Sequence, residues 1–106
     1  IAEQERLFIE NRKQAIRNKI KELGLTQENL ATILGHKSKT HMSELMNGIK
    51  PFTLRDLIVI NRLFNIDIDL LIPRFLSKKD QVKIKAAVDK LDKPEIKLLS
   101  DDLVLF

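Results

Sequence analysis

The groupings in this chain that could support acid–base or metal chemistry are two histidines, His36 and His41, and two carboxylate pairs, Asp67/Asp69 and Asp101/Asp102. None has the spacing such chemistry needs. Histidines five apart do not share a helical face as ligands four apart do, and no cysteine supplements them. Asp67 stands where a helix cap belongs and Asp101/Asp102 lie in a tail, so neither pair reads as an acid–base dyad. There is no phosphate loop, nucleophile elbow or glycine-rich dinucleotide turn. No catalytic residue, metal ligand or cofactor site is assigned, and an enzyme is not expected. What remains is hydrogen-bonding chemistry on residues 38–47. At 100° per residue, Met42, Leu45 and Met46 share one helical face, and Thr40, Ser43, Glu44 and Asn47 share the other, with Lys39 at its edge. Such a face recognises a partner; it does not break bonds.

The flanking sequence supplies elements that can hold that face. Ala15, Ile16, Ile20 and Leu23 recur at helical spacing over residues 11–23, and Gly24 can close that helix in the left-handed conformation. Thr26 caps a second helix of about two turns, with Leu30, Ala31, Ile33 and Leu34 as its stripe and Gly35 as its stop. Ser38 caps the third helix, which ends at Asn47-Gly48. Thr53 caps a fourth, with Asp56 at its third position, in which Leu54, Leu57, Ile58, Ile60, Leu63 and Phe64 are expected to supply most of the core. Asn65 closes it, Asp67 caps a short fifth helix through Ile72, and Pro73 prevents that helix from continuing. Ser77 opens a charged sixth helix over residues 78–91, with a narrow stripe of Ile84, Ala87, Val88 and Leu91. Pro94 interrupts it before an apolar ending at residues 103–106.

Composition agrees with an all-α fold. In 106 residues there are three glycines, three prolines and few aromatics, and 32% are charged. No apolar run approaches the roughly 18 residues that would span a bilayer, so no membrane role is expected and the protein is read as soluble and cytoplasmic. The first residue is Ile1 rather than Met, which reads as a processed or truncated start. The net charge of +4 is modest, but its distribution is uneven. Residues 1–10 carry −2, residues 11–55 carry +6 from nine basic and three acidic side chains, and residues 56–106 are balanced. The basic excess therefore coincides with the first four helices.

The run Leu25-Thr26-Gln27-Glu28-Asn29-Leu30-Ala31, then Met42-Ser43-Glu44-Leu45-Met46-Asn47-Gly48, then Thr53-Leu54 and Phe64-Asn65-Ile66, resembles the Cro/C1 or XRE type of helix-turn-helix family over roughly residues 15–72. The stretch from Asn47 to Arg55 with Phe64-Asn65-Ile66 is similar, more narrowly, to HigA-type antitoxins. The resemblance implies a lambda-repressor-like five-helix helix-turn-helix domain with a C-terminal helical extension. It implies double-stranded DNA as the partner, with the third helix entering the roughly 12 Å major groove. Lys39, Thr40, Ser43 and Glu44 then fall at base-reading positions, where lysine suits guanine, threonine a thymine methyl and glutamate cytosine N4. Gln27 falls where a phosphate contact steadies the recognition helix, and Lys37, Asn47, Lys50, Thr53 and Arg55 are further backbone-contact candidates. Glu44 has a second reading, as an ion-pair partner of Lys39 or Lys50.

Three features depart from the family pattern. One additional residue lies between Gly35 and Ser38, where His36 and Lys37 fill the turn; Ile49 stands where a basic residue is common, and Met46 where a polar one is. The organisation expected is an N-terminal extension at 1–10 that starts or leads into helix one, a DNA-binding domain at 11–73, and a C-terminal helix and tail at 74–106. A homodimeric repressor on a palindromic operator is the leading expectation, because one short helix rarely gives tight specific binding alone. Dimer contacts are sought at Phe52 with Ile49, at the Ile84/Val88/Leu91 stripe, or at residues 103–106. The alternative is an antitoxin that neutralises an RNase toxin and regulates its own operon.

Overall fold

The computed structural model describes residues 2–96. Their order is α1 (Ala2–Glu22), α2 (Gln27–Leu34), α3 (Lys39–Met46), α4 (Leu54–Phe64), α5 (Ile68–Leu71), α6 (Lys78–Leu91) and a 3₁₀ turn at Pro94–Ile96. Among these residues there is no β-strand. Residues 97–106, which hold Asp101/Asp102 and the apolar ending, lie outside the described residues.

Helix starts follow local chemistry. The Thr26 hydroxyl accepts from the Asn29 N–H at 3.1 Å, and the Asn29 side chain accepts from the Thr26 N–H at 2.9 Å. Thr53 and Asp56 form the same reciprocal box on α4, at 3.1 and 3.4 Å. Ser38, Asp67 and Ser77 cap α3, α5 and α6. Each cap satisfies amides that have no intrahelical partner, an effect of about 1 kcal/mol.

The core is one cluster to which α1 to α5 all contribute: Ile16 and Ile20, Leu30 and Leu34, Met42, Leu45 and Met46, Leu57, Ile60 and Phe64, and Leu71. At about 1.5–3 kcal/mol for each large apolar side chain taken from water, this cluster dominates the fold and fixes the angle of α3. Membership of α4 differs from the expectation. Leu57, Ile60 and Phe64 are buried beside Asp56, whereas Leu54, Ile58 and Leu63 are exposed. The reason is geometric: the four buried residues fall within an arc of about 100°, and the other three lie outside it. Leu23 and Ile33 are also exposed.

Helix α1 begins at Ala2, so residues 2–10 are the start of helix one rather than a lead-in to it. Glu3 and Glu5 stand in its first turn, where carboxylates complement the helix dipole. Its additional turns have partners. Phe8 meets Phe75 edge to face at 6.1 Å, and Ile9 covers Gly48, where an added Cβ would stand 2.5 Å from Ile9 Cδ1. Arg12 is only 8% exposed. Its Nη1 donates to the Leu71 carbonyl at 3.2 Å, and its guanidinium lies 5.3 and 5.0 Å from the ring centres of Phe8 and Phe52. Burial pulls this guanidinium below its ordinary pKa. Phe52 is thus a core residue rather than a free dimer contact, while its neighbour Ile49 is exposed. Helix α6 forms where the sequence places it, yet none of its residues is buried.

Candidate nucleic-acid interface

The turn between α2 and α3 decides how α3 is presented. Gly35 takes φ 80°, a left-handed conformation that favours glycine. Its N–H donates to the Thr32 carbonyl at 3.1 Å, and the next N–H, of His36, donates to the Ala31 carbonyl at 2.8 Å. This pair of bonds is a Schellman closure. The additional turn residue is therefore absorbed after α2 ends, with Lys37 exposed and Ser38 still the cap of α3.

His36 also fastens the turn to α4. Its Nε2 lies 3.0 Å from Asp56 Oδ2, and its ring meets that of His41 edge to face at 4.8 Å. Asp56 is fully buried, so the same carboxylate caps α4 and anchors the turn preceding α3. A buried carboxylate needs such partners, since leaving it unpaired costs more than a hydrogen bond returns. The sequence places His36 in the turn and excludes it as a metal ligand, but does not reveal this bond. The signal is weak, because the capping box already explains Asp56.

On α3 itself, Met42, Leu45 and Met46 are each 1% exposed. Their burial turns Lys39, Thr40, Ser43 and Glu44 outward, with Lys39 and Thr40 fully exposed and Ser43 and Glu44 half-buried. Lys39 Nζ pairs with Glu28 Oε1 of α2 at 2.9 Å, and that carboxylate raises the Lys39 pKa above its ordinary value. Glu44 Oε1 lies 3.7 Å from Lys50 Nζ, so of the two partners weighed for Glu44 it faces Lys50. Thr40 stands open at the centre of the face.

Asn47 closes the far end. Its Nδ2 donates to the Ser43 carbonyl at 2.9 Å, and its Oδ1 accepts from Lys13 Nζ at 3.0 Å. Lys13 is a residue the sequence does not single out, and it brings a cation from α1 to the end of α3. Gln27 is the first residue of α2, half-buried. The Thr53 hydroxyl is occupied as a cap, and Arg55 Nη1 donates to the Leu34 carbonyl at 2.9 Å, closing the C-terminal end of α2. The structure thus brings Lys39, Thr40, Ser43 and Glu44 onto one helix that Asn47 caps, with Lys37 and Gln27 towards its start and Lys50 near its end. Thr53 and Arg55 serve the joint between α2 and α4.

This geometry suits groove entry, with a short helix, a polar face and flanking cations. Among the described residues no group of three or more potential ligands could hold a metal ion, and no helix is long and apolar enough to cross a membrane. A family model of the helix-turn-helix type HTH_3 matches residues 16–71. No curated protein and no solved structure matches the chain.

Proposed function

Because the chain belongs to the Cro/C1 (XRE) type of helix-turn-helix family, whose domain is a DNA-binding transcription regulator, we propose that it is a sequence-specific repressor acting as a dimer on a palindromic operator. The observation that carries this reading is the outward face of α3, held by three buried apolar residues beneath it. In it, Lys39, Thr40, Ser43 and Glu44 read base edges. Gln27, Lys37, Asn47, Lys50, Thr53 and Arg55 contact the backbone, the last two chiefly by fixing helix ends near phosphates. Selection of bound sites from a random duplex library tests it. The expected result is two inverted half-sites about one helical turn apart, and enrichment of no sequence would defeat it.

Two substitutions separate the roles. Lys37→Ala should flatten the slope of log affinity against log salt by up to about 0.9, the share of a single neutralised phosphate. Thr40→Ala should instead relax preference at one base position by about 1–3 kcal/mol. A uniform weakening across all sequences would remove Thr40 from the readers.

A second reading, an antitoxin that masks an RNase toxin and regulates its operon, is favoured by α6, whose Ile84 and Leu91 are 37% and 58% exposed. Such a helix has an apolar face for a partner. Co-expression with the product of an adjacent small gene tests it, and a stable complex that no longer forms when α6 is removed is the expected result.

A further inference from the structure

We propose that the cleft between the N-terminal half of α1 and the start of α6 is a binding site for a small organic carboxylate with an apolar body. The cleft is open to solvent on one side and has a volume of about 560 Å³, within the range that holds small-molecule ligands. Phe8, Phe52 and Phe75 line it, together with Arg12.

Arg12 is the reason to expect an anion. The residue is more than nine-tenths buried, its Nε has no hydrogen-bond partner among the described residues, and one neutral carbonyl receives its Nη1. Desolvation lowers its pKa, and no carboxylate among the described residues raises it. The ring faces of Phe8 and Phe52, 5.3 and 5.0 Å away, compensate this cation in part, and a carboxylate that the guanidinium fork can grip would add the counter-charge that the rings do not carry. Lys50, Lys79 and Lys83 also line the cleft, against Glu5 and Asp80, so the field inside is positive. The aromatic walls set the second requirement. An inorganic anion would satisfy Arg12 and leave the half-buried rings of Phe8 and Phe75 wet, whereas an aryl or branched aliphatic carboxylate satisfies both.

The test uses the full chain and 2-naphthoate as the probe, with 2-naphthamide as its neutral counterpart and inorganic phosphate as the small anion, followed in ¹H–¹⁵N spectra. Naphthoate should shift the Arg12 Nε–H and the Phe52 and Phe75 amides saturably. Naphthamide should bind at least tenfold more weakly, and Arg12→Gln should abolish the saturable shift. Equal binding of acid and amide, or saturable binding retained in Arg12→Gln, would overturn the proposal. Phosphate acting as strongly as naphthoate would overturn the apolar half of it. If Arg12→Gln does not fold, the Lys79→Ala/Lys83→Ala pair replaces it. Naphthoate affinity should then fall severalfold with naphthamide unaffected, and an unchanged ratio between the two would overturn the site.

Discussion

Two helical segments flank the residues matched by the family model, the N-terminal half of α1 and the whole of α6, and they relate to the core in opposite ways. The first sends Phe8, Ile9 and Arg12 into contact with Phe75, Gly48 and Phe52. The second, although 14 residues long and capped, buries nothing. The first continues a helix whose axis is already fixed by Ile16 and Ile20, so each added turn costs only propagation. The second follows the break at Pro73, and its side-chain ties to the preceding segment are local: the Ser77 cap, and Gln81 Nε2 to the Leu76 carbonyl at 2.8 Å. An amphipathic pattern therefore states that a helix has a face to cover, and not which chain covers it.

The contrast can be broken most strongly in the core. Ile60 is fully buried, and Ile60→Ala should lower unfolding free energy by about 2–5 kcal/mol in urea titration. A decrease under about 1 kcal/mol would mean that this site collapses around the gap and that α4 is not the keystone of the cluster.

Next in size is the packing that makes the α1 extension part of the fold. Gly48 sits at φ 74° beneath Ile9, so Gly48→Ala combines backbone strain with a steric clash and should cost about 1–3 kcal/mol. The double variant Ile9→Ala/Gly48→Ala should recover the clash part and leave the strain. Additive effects would show that the two residues do not meet in solution. Thr53→Ala should cost about 1 kcal/mol through the α4 cap, and more if Asp56 then lets go of His36.

What is legible in the sequence is mostly local. Thr26, Ser38, Thr53, Asp67 and Ser77 are recognisable as caps because each acts on amides two or three positions ahead. Gly35 and Asn65 are recognisable as stops because the left-handed conformation selects such residues. The core of α4 is only half legible, since apolar residues nearly encircle it and periodicity cannot say which arc the other helices cover. Pairings distant in sequence are illegible. His36 reaches Asp56 across 20 positions, and Ile9 reaches Gly48 only because α1 begins earlier than its apolar stripe indicates. On α3, which residues point outward is legible, while their partners are not. Glu28 on Lys39 and Lys13 on Asn47 come from other helices.

The smallest expected effect falls on α6, and it bears on the proposed dimer. Ile84→Glu places a charge on a helix without buried residues, so for an isolated chain it should change stability by no more than about 0.5 kcal/mol. If the Ile84 stripe instead packs against a second copy, the substitution buries a charge in an apolar interface, and the destabilisation should grow with protein concentration, because association contributes to apparent stability by mass action. Sedimentation across a hundredfold concentration range separates the cases. A dimer that dissociates on Ile84→Glu assigns the face of α6 to self-association, and a dimer that persists moves the interface to other exposed apolar positions such as Leu54 and Ile58 on α4. In that second outcome α6 stays open to another protein, as the antitoxin reading requires.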